Sequence, residues 1–310
     1  VACFHPLHGY YSKSEFTKKG KRKIVFDVKQ AMTEEVIRLP CGQCTGCRLE
    51  RSRQWAIRCL HESQLHEKNC FITLTYSDDH LPADGSLNHR HWVLFAKRLR
   101  KRFGNGIRYY MCGEYGEQFA RPHYHACLFN HDFRDKTLWK ERDGVPLYQS
   151  KSLDKLWSTP YGDPLGFTSV GDVTFQSAAY VARYIMKKVT GDKADDHYTY
   201  LDEYGEIHER TPEYTQMSRR PGIGADWLKK YETDVFPHDY VILNGKKCSV
   251  PKYYDRNLED RRPEFAAAMK RRRNDARAFR GFDVDSTPDR LKVREKCLET
   301  RLNQLKRNLD

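Results

Sequence analysis

The chain has 310 residues, and 55 Lys and Arg against 42 Asp and Glu give a formal net charge of +13. No apolar run approaches the ~18–20 residues that cross a bilayer, and residues 1–6 lack the basic-then-apolar pattern of a signal peptide. With 39% hydrophobic and 13% aromatic residues a core can form and global disorder is excluded. A basic, aromatic-rich chain suits a polyanion, since cations meet phosphates and rings stack on bases.

In chain order, a basic run from Lys18 to Lys23 precedes a strand-like Ile24–Val28. Cys47 to about His66 reads as a helix with Ala56, Cys59, Leu60 and Ser63 on one stripe and Arg48, Arg51, Arg53 and Arg58 around it. Cys70–Tyr76 is β-branched and aromatic, a strand, and a basic helix follows over His89–Phe103. Ile107–Glu114 and His123–Phe129 read as a hairpin. Residues 131–170 look irregular, with short helical pieces near Leu138 and Leu153–Trp157, and Ser177–Val189 reads as helix. An Asp/Tyr-rich hairpin or loop comes next. From Lys252 charge dominates, with Leu291, Leu298, Leu302, Leu305 and Leu309 at helical spacing near the end. The expected organisation is a cysteine-rich region over 1–47, an α+β domain over 48–250 with a central antiparallel sheet flanked by helices, and a basic, partly helical tail over 251–310.

Ten cysteines without a leader argue for a reducing compartment, where clustered thiols are metal ligands rather than disulfides. Cys41, Cys44 and Cys47 are spaced by two residues, as thiolates wrapping a tetrahedral Zn2+ are, with Gly42 and Gly46 permitting the turn. Cys3 is the first choice for the fourth ligand, with His5 or His8 as substitutes. An iron–sulfur spacing would want a cysteine where Arg51 stands. Such a closed shell is structural.

Catalytic chemistry gathers in Arg121-Pro-His123-Tyr-His125. Alternation on a strand points His123 and His125 the same way, about 6–7 Å apart along the chain. Two imidazoles so placed grip one divalent cation, and Glu114 on the preceding strand is placed to add a carboxylate, leaving positions open for water and phosphate. In Tyr180-Val-Ala-Arg183-Tyr184-Ile-Met-Lys187-Lys188, i and i+4 phenols lie one helical turn apart, each followed three residues later by a cation. Positive charge favours the nucleophilic phenolate.

Together, the strand Phe71–Tyr76, the His-x-His and the Tyr-x-x-Arg-Tyr-x-x-Lys helix resemble, in that order, the HUH superfamily of rolling-circle replication initiators and relaxases. Pro40–Arg48 and Met217–Gly222 are similar to the gokushovirus branch of the microviruses. The resemblance covers about residues 1–255. It implies an HUH endonuclease fold and an origin nickase and strand ligase acting on single-stranded DNA in the host cytoplasm. Mg2+ or Mn2+ would sit on His123, His125 and Glu114; Tyr184 would be the indispensable nucleophile and Tyr180 the second, with Arg183 and Lys187 beside them. Arg121, Lys188, Arg219 and Arg220 are candidate DNA contacts, and Arg98, Arg100–Arg102 and Arg271–Arg273 are further basic segments. No phosphate-loop motif occurs, so unwinding would fall to a host helicase and synthesis to a host polymerase. The rivals are a zinc-stapled DNA-binding protein without catalysis, and a plasmid relaxase or transposase sharing the chemistry.

Overall fold

Apolar runs that are continuous rather than alternating mark strands covered on both faces, and these build the central sheet. The computed structural model describes residues 3–18, 20–116, 119–142, 144–183, 188–189, 194–201, 205–279 and 284–304. The chain divides into two units, one of residues 1–50 and 274–306 and one of residues 51–273. In the first, β1 (Leu7–Phe16), β2 (Arg22–Val25) and β3 (Ile37–Leu39) form an antiparallel sheet in the order β2–β1–β3. The strand expected over Ile24–Val28 therefore ends early, at Val25.

Helix α1 (Thr45–Ser63) leads to β4 (Asn69–Thr75), α2 (His89–Phe103), β5 (Arg108–Tyr115) and β6 (Pro122–Phe129). Then come β7 (Thr137–Arg142), β8 (Val145–Gln149), α3 (Lys151–Asp154), β9 (Thr168–Gly171) and α4 (Phe175–Arg183). The chain goes on through α5 (Ala194–Tyr198), β10 (Thr199–Leu201), β11 (Ile207–Glu209), β12 (Tyr214–Met217) and α6 (Ala225–Val235). It closes with β13 (Tyr240–Leu243), β14 (Lys246–Ser249), α7 (Lys252–Arg261), α8 (Pro263–Phe279) and α9 (Pro288–Asn303). Seven strands form one sheet in the order β12–β5–β6–β4–β9–β8–β7, every neighbouring pair antiparallel. The fold is α+β, as the sequence leads one to expect, and β10 and β11 form the expected second hairpin.

The pleat divides the sheet's side chains between two cores. Ile72, Leu74, Met111, Tyr124, Ala126 and Leu128 pack on one face with Trp92, Phe95 and Leu99 of α2 and with Leu153, Leu156 and Trp157. Tyr110, Cys112, Cys127 and Phe129 pack on the other with Ala56 and Cys59 of α1 and Ala178, Val181 and Ala182 of α4. Tyr124, between the two histidines, faces the first core. Its hydroxyl accepts from the Asn88 N–H at 3.0 Å and donates to the Asn88 carbonyl at 2.9 Å, pinning the N-cap of α2 to β6.

Four sequence expectations are corrected. Residues 131–170 hold a hairpin, β7–β8, where Leu138 sits in a strand rather than a helix; Leu138 and Trp139 of that edge are exposed, so no inward alternation betrays it. Helix α4 starts at Phe175, and Lys188 and Val189 lie in irregular backbone rather than in its last turn. Arg58 is buried instead of decorating the surface. Its guanidinium lies between the Trp55 and Tyr253 rings, 3.9 and 3.8 Å from their centroids, and its Nε donates to the Ile223 carbonyl at 3.0 Å. Finally, residues 252–273 are no loose tail. Tyr254, Leu258 and Met269 are buried with Ile57, Trp227 and Leu228, and Arg273 is tied up with Asp239 and Asp255. Sparse apolar residues among many charges conceal that packing. Helix α9 forms as expected but buries only Leu291 of its stripe among the described residues; Leu305 and Leu309 lie outside them.

Gly166 lets the loop before β9 lie directly on β4. A methyl group there would run into the Thr75 carbonyl oxygen and the Ser77 nitrogen, which are backbone and cannot swing away. Gly166→Ala is expected to lower stability by about 1–3 kcal/mol, read as a lower urea midpoint with an unchanged slope.

Candidate metal centres

Register sets the first centre. Pairing of β5 with β6 puts Glu114 opposite His123 and Cys112 opposite His125, so by alternation the carboxylate and both imidazoles share one sheet face. Glu114 is fully buried, His125 nearly so and His123 half-buried. Oε1 of Glu114 stands 2.9 Å from Nε2 of His123 and 2.9 Å from Nε2 of His125. Adjacent ligands on an ion with bonds of about 2.1 Å at right angles are about 3 Å apart, so the three donors already stand at the separations that one cation imposes.

The outer nitrogens are held as well. Nδ1 of His123 donates to the Arg121 carbonyl at 3.0 Å, and Nδ1 of His125 lies 2.9 Å from Oγ1 of Thr73. With those nitrogens protonated, both Nε2 lone pairs turn toward Glu114, the arrangement by which outer hydrogen bonds orient metal-ligating histidines. Burial pushes the Glu114 carboxyl up, but the hydrogen bonds and positive field of His123 and His125 outweigh it and bring it down to about 2. The donor set is one hard oxygen and two imidazoles, closed by protein on one side, which fits a divalent ion that keeps open positions.

Helix α4 crosses this face. The Tyr180 ring meets His125 edge-on at 5.0 Å and Phe71 at 6.4 Å, while Phe71 stacks on His125 at 5.6 Å. Tyr180 is thus brought to the histidines, as the sequence leads one to expect of the tyrosine helix. Arg183 ends α4 exposed, and Lys188 is half-buried. Tyr184 and Lys187 lie outside the described residues, as does Glu117, which the spacing had left as a lesser candidate. Arg121 is bound to Asp78 and donates to the Tyr76 carbonyl at 3.0 Å, whereas Arg219 and Arg220 are exposed. Thr73 and Phe71 went unassigned because their part depends on β4 lying beside β6, a pairing that no local spacing records. Their presence in the β-branched run Phe71–Tyr76 was the available signal.

The second centre belongs to the other unit. The β1–β3 register (Leu7 opposite Leu39, His8 opposite Arg38), carried past the strand ends, brings Cys3 level with the turn that holds Cys41 and Cys44. Sγ of Cys44 is 4.0 Å from that of Cys3, and Sγ of Cys41 is 4.0 Å from that of Cys47. Tetrahedral Zn–S bonds of about 2.3 Å put sulfurs about 3.8 Å apart, so the cluster fits such an ion. Gly42 takes φ of +78°, and backbone N–H groups of Cys41, Cys44 and Phe4 donate to the sulfurs of Cys3, Cys41 and Cys44 at 3.2, 3.3 and 3.4 Å. Burial pushes the Cys41 thiol up, but N–H donors of Cys44 and Gln43 outweigh it and bring it to about 7. Burial raises Cys3 and Cys47. The substitutes for Cys3 are not used: His8 is exposed on β1, and Nε2 of His5 is 2.8 Å from Glu295 of α9.

An antiparallel sheet with a carboxylate and two imidazoles converging under a tyrosine-bearing helix defines an α+β protein with a candidate divalent-metal centre. The family model of the ORF2-type replication-associated proteins matches residues 69–189, from β4 through both histidines and past α4. The chain is 34% identical over 276 residues to the replication-associated protein VP4 of Bdellovibrio phage phiMH2K, covering 84% of this chain and 78% of that protein. It is 35% identical over 278 residues to the replication-associated protein ORF2 of Spiroplasma virus 4, covering 84% and 81%. With the replication-associated protein ORF4 of Chlamydia phage 1 it shares 28% over 234 residues, covering 70% and 52%. The chain belongs to this family of microvirus replication-associated proteins. No solved structure matches it. No helix among the described residues is long and apolar enough to cross a membrane.

Removing an outer hydrogen bond tests the first centre without touching a ligand. Thr73→Val is expected to weaken Mn2+ binding by roughly 10–100-fold in calorimetric titration, and Glu114→Ala by more.

Proposed function

We propose that the chain nicks single-stranded DNA at a viral origin and later rejoins the displaced strand, starting rolling-circle replication on an HUH-type endonuclease fold. The observation that supports this most is the convergence of Glu114, His123 and His125 on one sheet face, with Tyr180 against His125. A Mg2+ or Mn2+ ion on those three side chains would polarise the scissile phosphate and offset the charge growing on its oxygens. Neutral imidazoles and an ionised Glu114 keep that position loaded with one negative charge. The phenol oxygen of Tyr184, or of Tyr180, bonds to phosphorus as the bond to the 3′-oxygen breaks. The phenol proton leaves, the 3′-oxygen takes one up, and a 5′-phosphotyrosine remains beside a free 3′-hydroxyl. Arg183 and Lys187, each three residues beyond a tyrosine, favour the phenolate and hold flanking phosphates.

The freed hydroxyl primes a host polymerase, and a host helicase opens the duplex, all in the host cytoplasm. The second tyrosine cuts after one round, and attack of the new 3′-hydroxyl on the first adduct closes the circle. Exposed Arg219 and Arg220 track phosphates, together with Arg121 and Lys188. Catalysis lies in the unit of residues 51–273. Cys3, Cys41, Cys44 and Cys47 hold a structural Zn2+ whose closed thiolate shell leaves no place for substrate.

Tyr180→Phe combined with Tyr184→Phe is expected to abolish the covalent DNA adduct while retaining DNA binding, and mass mapping of the wild-type adduct should return the peptide spanning residues 180–188. An adduct that survives the double substitution, or maps elsewhere, refutes the assignment. Elemental analysis should find one zinc per chain, lost in Cys44→Ser with a lower thermal midpoint; a zinc-free wild type refutes the staple.

A further inference from the structure

The ladder that carries the metal ligands continues, beyond β4, to an aromatic ring held in water. Thr75 lies opposite His123 across β4–β6, and His123 lies opposite Glu114 across β6–β5. On the other side of β4, Leu74 pairs with Thr168 and Thr73 with Ser169, so the next residue in register with Thr75 is Phe167. The Thr75 N–H donates to the Phe167 carbonyl at 2.9 Å, confirming that register, and the Thr75 hydroxyl donates to the same oxygen at 3.0 Å. Phe167, Thr75, His123 and Glu114 therefore form one row across four neighbouring chain segments. Thr168 turns toward the buried core beside Leu74, so alternation directs Phe167 to the face that carries both histidines.

Phe167 is 74% exposed. A solitary exposed apolar side chain on a slack loop needs no explanation; this one is presented by a constrained backbone. Gly166 before it lies so close to β4 that no side chain fits there, and Trp157 donates to the Thr75 carbonyl at 2.6 Å, stiffening the same strand end. Two strand spacings put its backbone about 10 Å from that of His123, within reach of a nucleotide next to a phosphate bound at the metal centre. An aromatic face is a sequence-tolerant platform for a base, and the chain's charge of +13 suits the accompanying phosphates.

We propose that Phe167 stacks on an unpaired base beside the phosphate held at the Glu114–His123–His125 centre, fixing which backbone bond lies over the ligands. This rests on the reading of that centre as a single-strand nicking site. The ring is a positioning element: it accepts a base face and takes no part in bond making.

The test uses the full chain with Mg2+ and Mn2+ withheld so that no strand is cut. Fluorescence anisotropy compares a labelled oligo(dT) of about 20 nucleotides, longer than one binding channel covers, with an abasic deoxyribose-phosphate oligomer of the same length. Phe167→Ala and Phe167→Leu should weaken oligo(dT) binding by roughly five- to a hundredfold, and Phe167→Trp should retain it. All four proteins should bind the abasic oligomer alike. Equal oligo(dT) binding by Phe167→Ala and wild type, or an equal loss on the abasic oligomer, overturns the stacking role. Leu behaving like Phe overturns it too, since size would then suffice. A wild type that binds neither oligomer removes the nicking-site reading and the proposal together. Base-dependent loss in Phe167→Ala alongside a wild type that never forms the tyrosine adduct leaves the stacking role standing and overturns the nicking reaction alone.

Discussion

The first metal centre depends on strand register. Glu114 and His123 meet because β5 and β6 pair at that one offset, and His125 joins them because side chains on a strand repeat every two residues. A slip of one residue in β6 would turn both imidazoles into the core that now holds Tyr124 and Leu128, and would expose those two instead. Burial on both faces therefore defends the register: the wrong pairing costs two apolar cores as well as the centre. The Tyr124 hydroxyl adds a further lock, since only the native offset brings it to the N-cap of α2.

The two donor sets differ in the way their chemistry requires. Three side chains around one carboxylate oxygen leave the outer side of the Glu114 centre to its surroundings, and hard oxygen with imidazole suits an ion that exchanges ligands. Four sulfurs at tetrahedral spacing, with backbone N–H groups aimed at them, form a closed shell suited to a soft ion and to holding chain segments together. Each lies in its own unit, so each can be disabled separately.

Much of this was legible locally. His123 and His125 on one face, the Cys41–Cys44–Cys47 spacing, the hairpin joining β5 to β6 and the basic helix α2 follow from periods of two and 3.6 residues and from turn chemistry. The hairpin β7–β8 was missed because its edge strands expose Leu138 and Trp139, which removes the alternation that a half-buried strand displays. The packing of α7 and α8 was missed because a few large side chains, Tyr254, Leu258 and Met269, bury enough surface to anchor helices whose other positions are charged. Arg58 read as a surface cation because a sequence cannot show the two rings, one of them nearly two hundred residues away, that make its burial tolerable.

By itself, then, the sequence determined which residue types stand at which short spacings: paired imidazoles, three thiols two apart, phenols one helical turn apart, and the family to which the chain belongs. Tertiary structure alone decided that Cys3 rather than His5 or His8 completes the thiol cluster, that Thr73 orients His125, and that Phe167 shares a row with His123 and Glu114. The reason is physical. Local periodicity depends on the geometry of one chain segment, whereas these pairings join segments remote in sequence, and the free energy that selects them is spread over whole buried faces rather than written at the residues that meet.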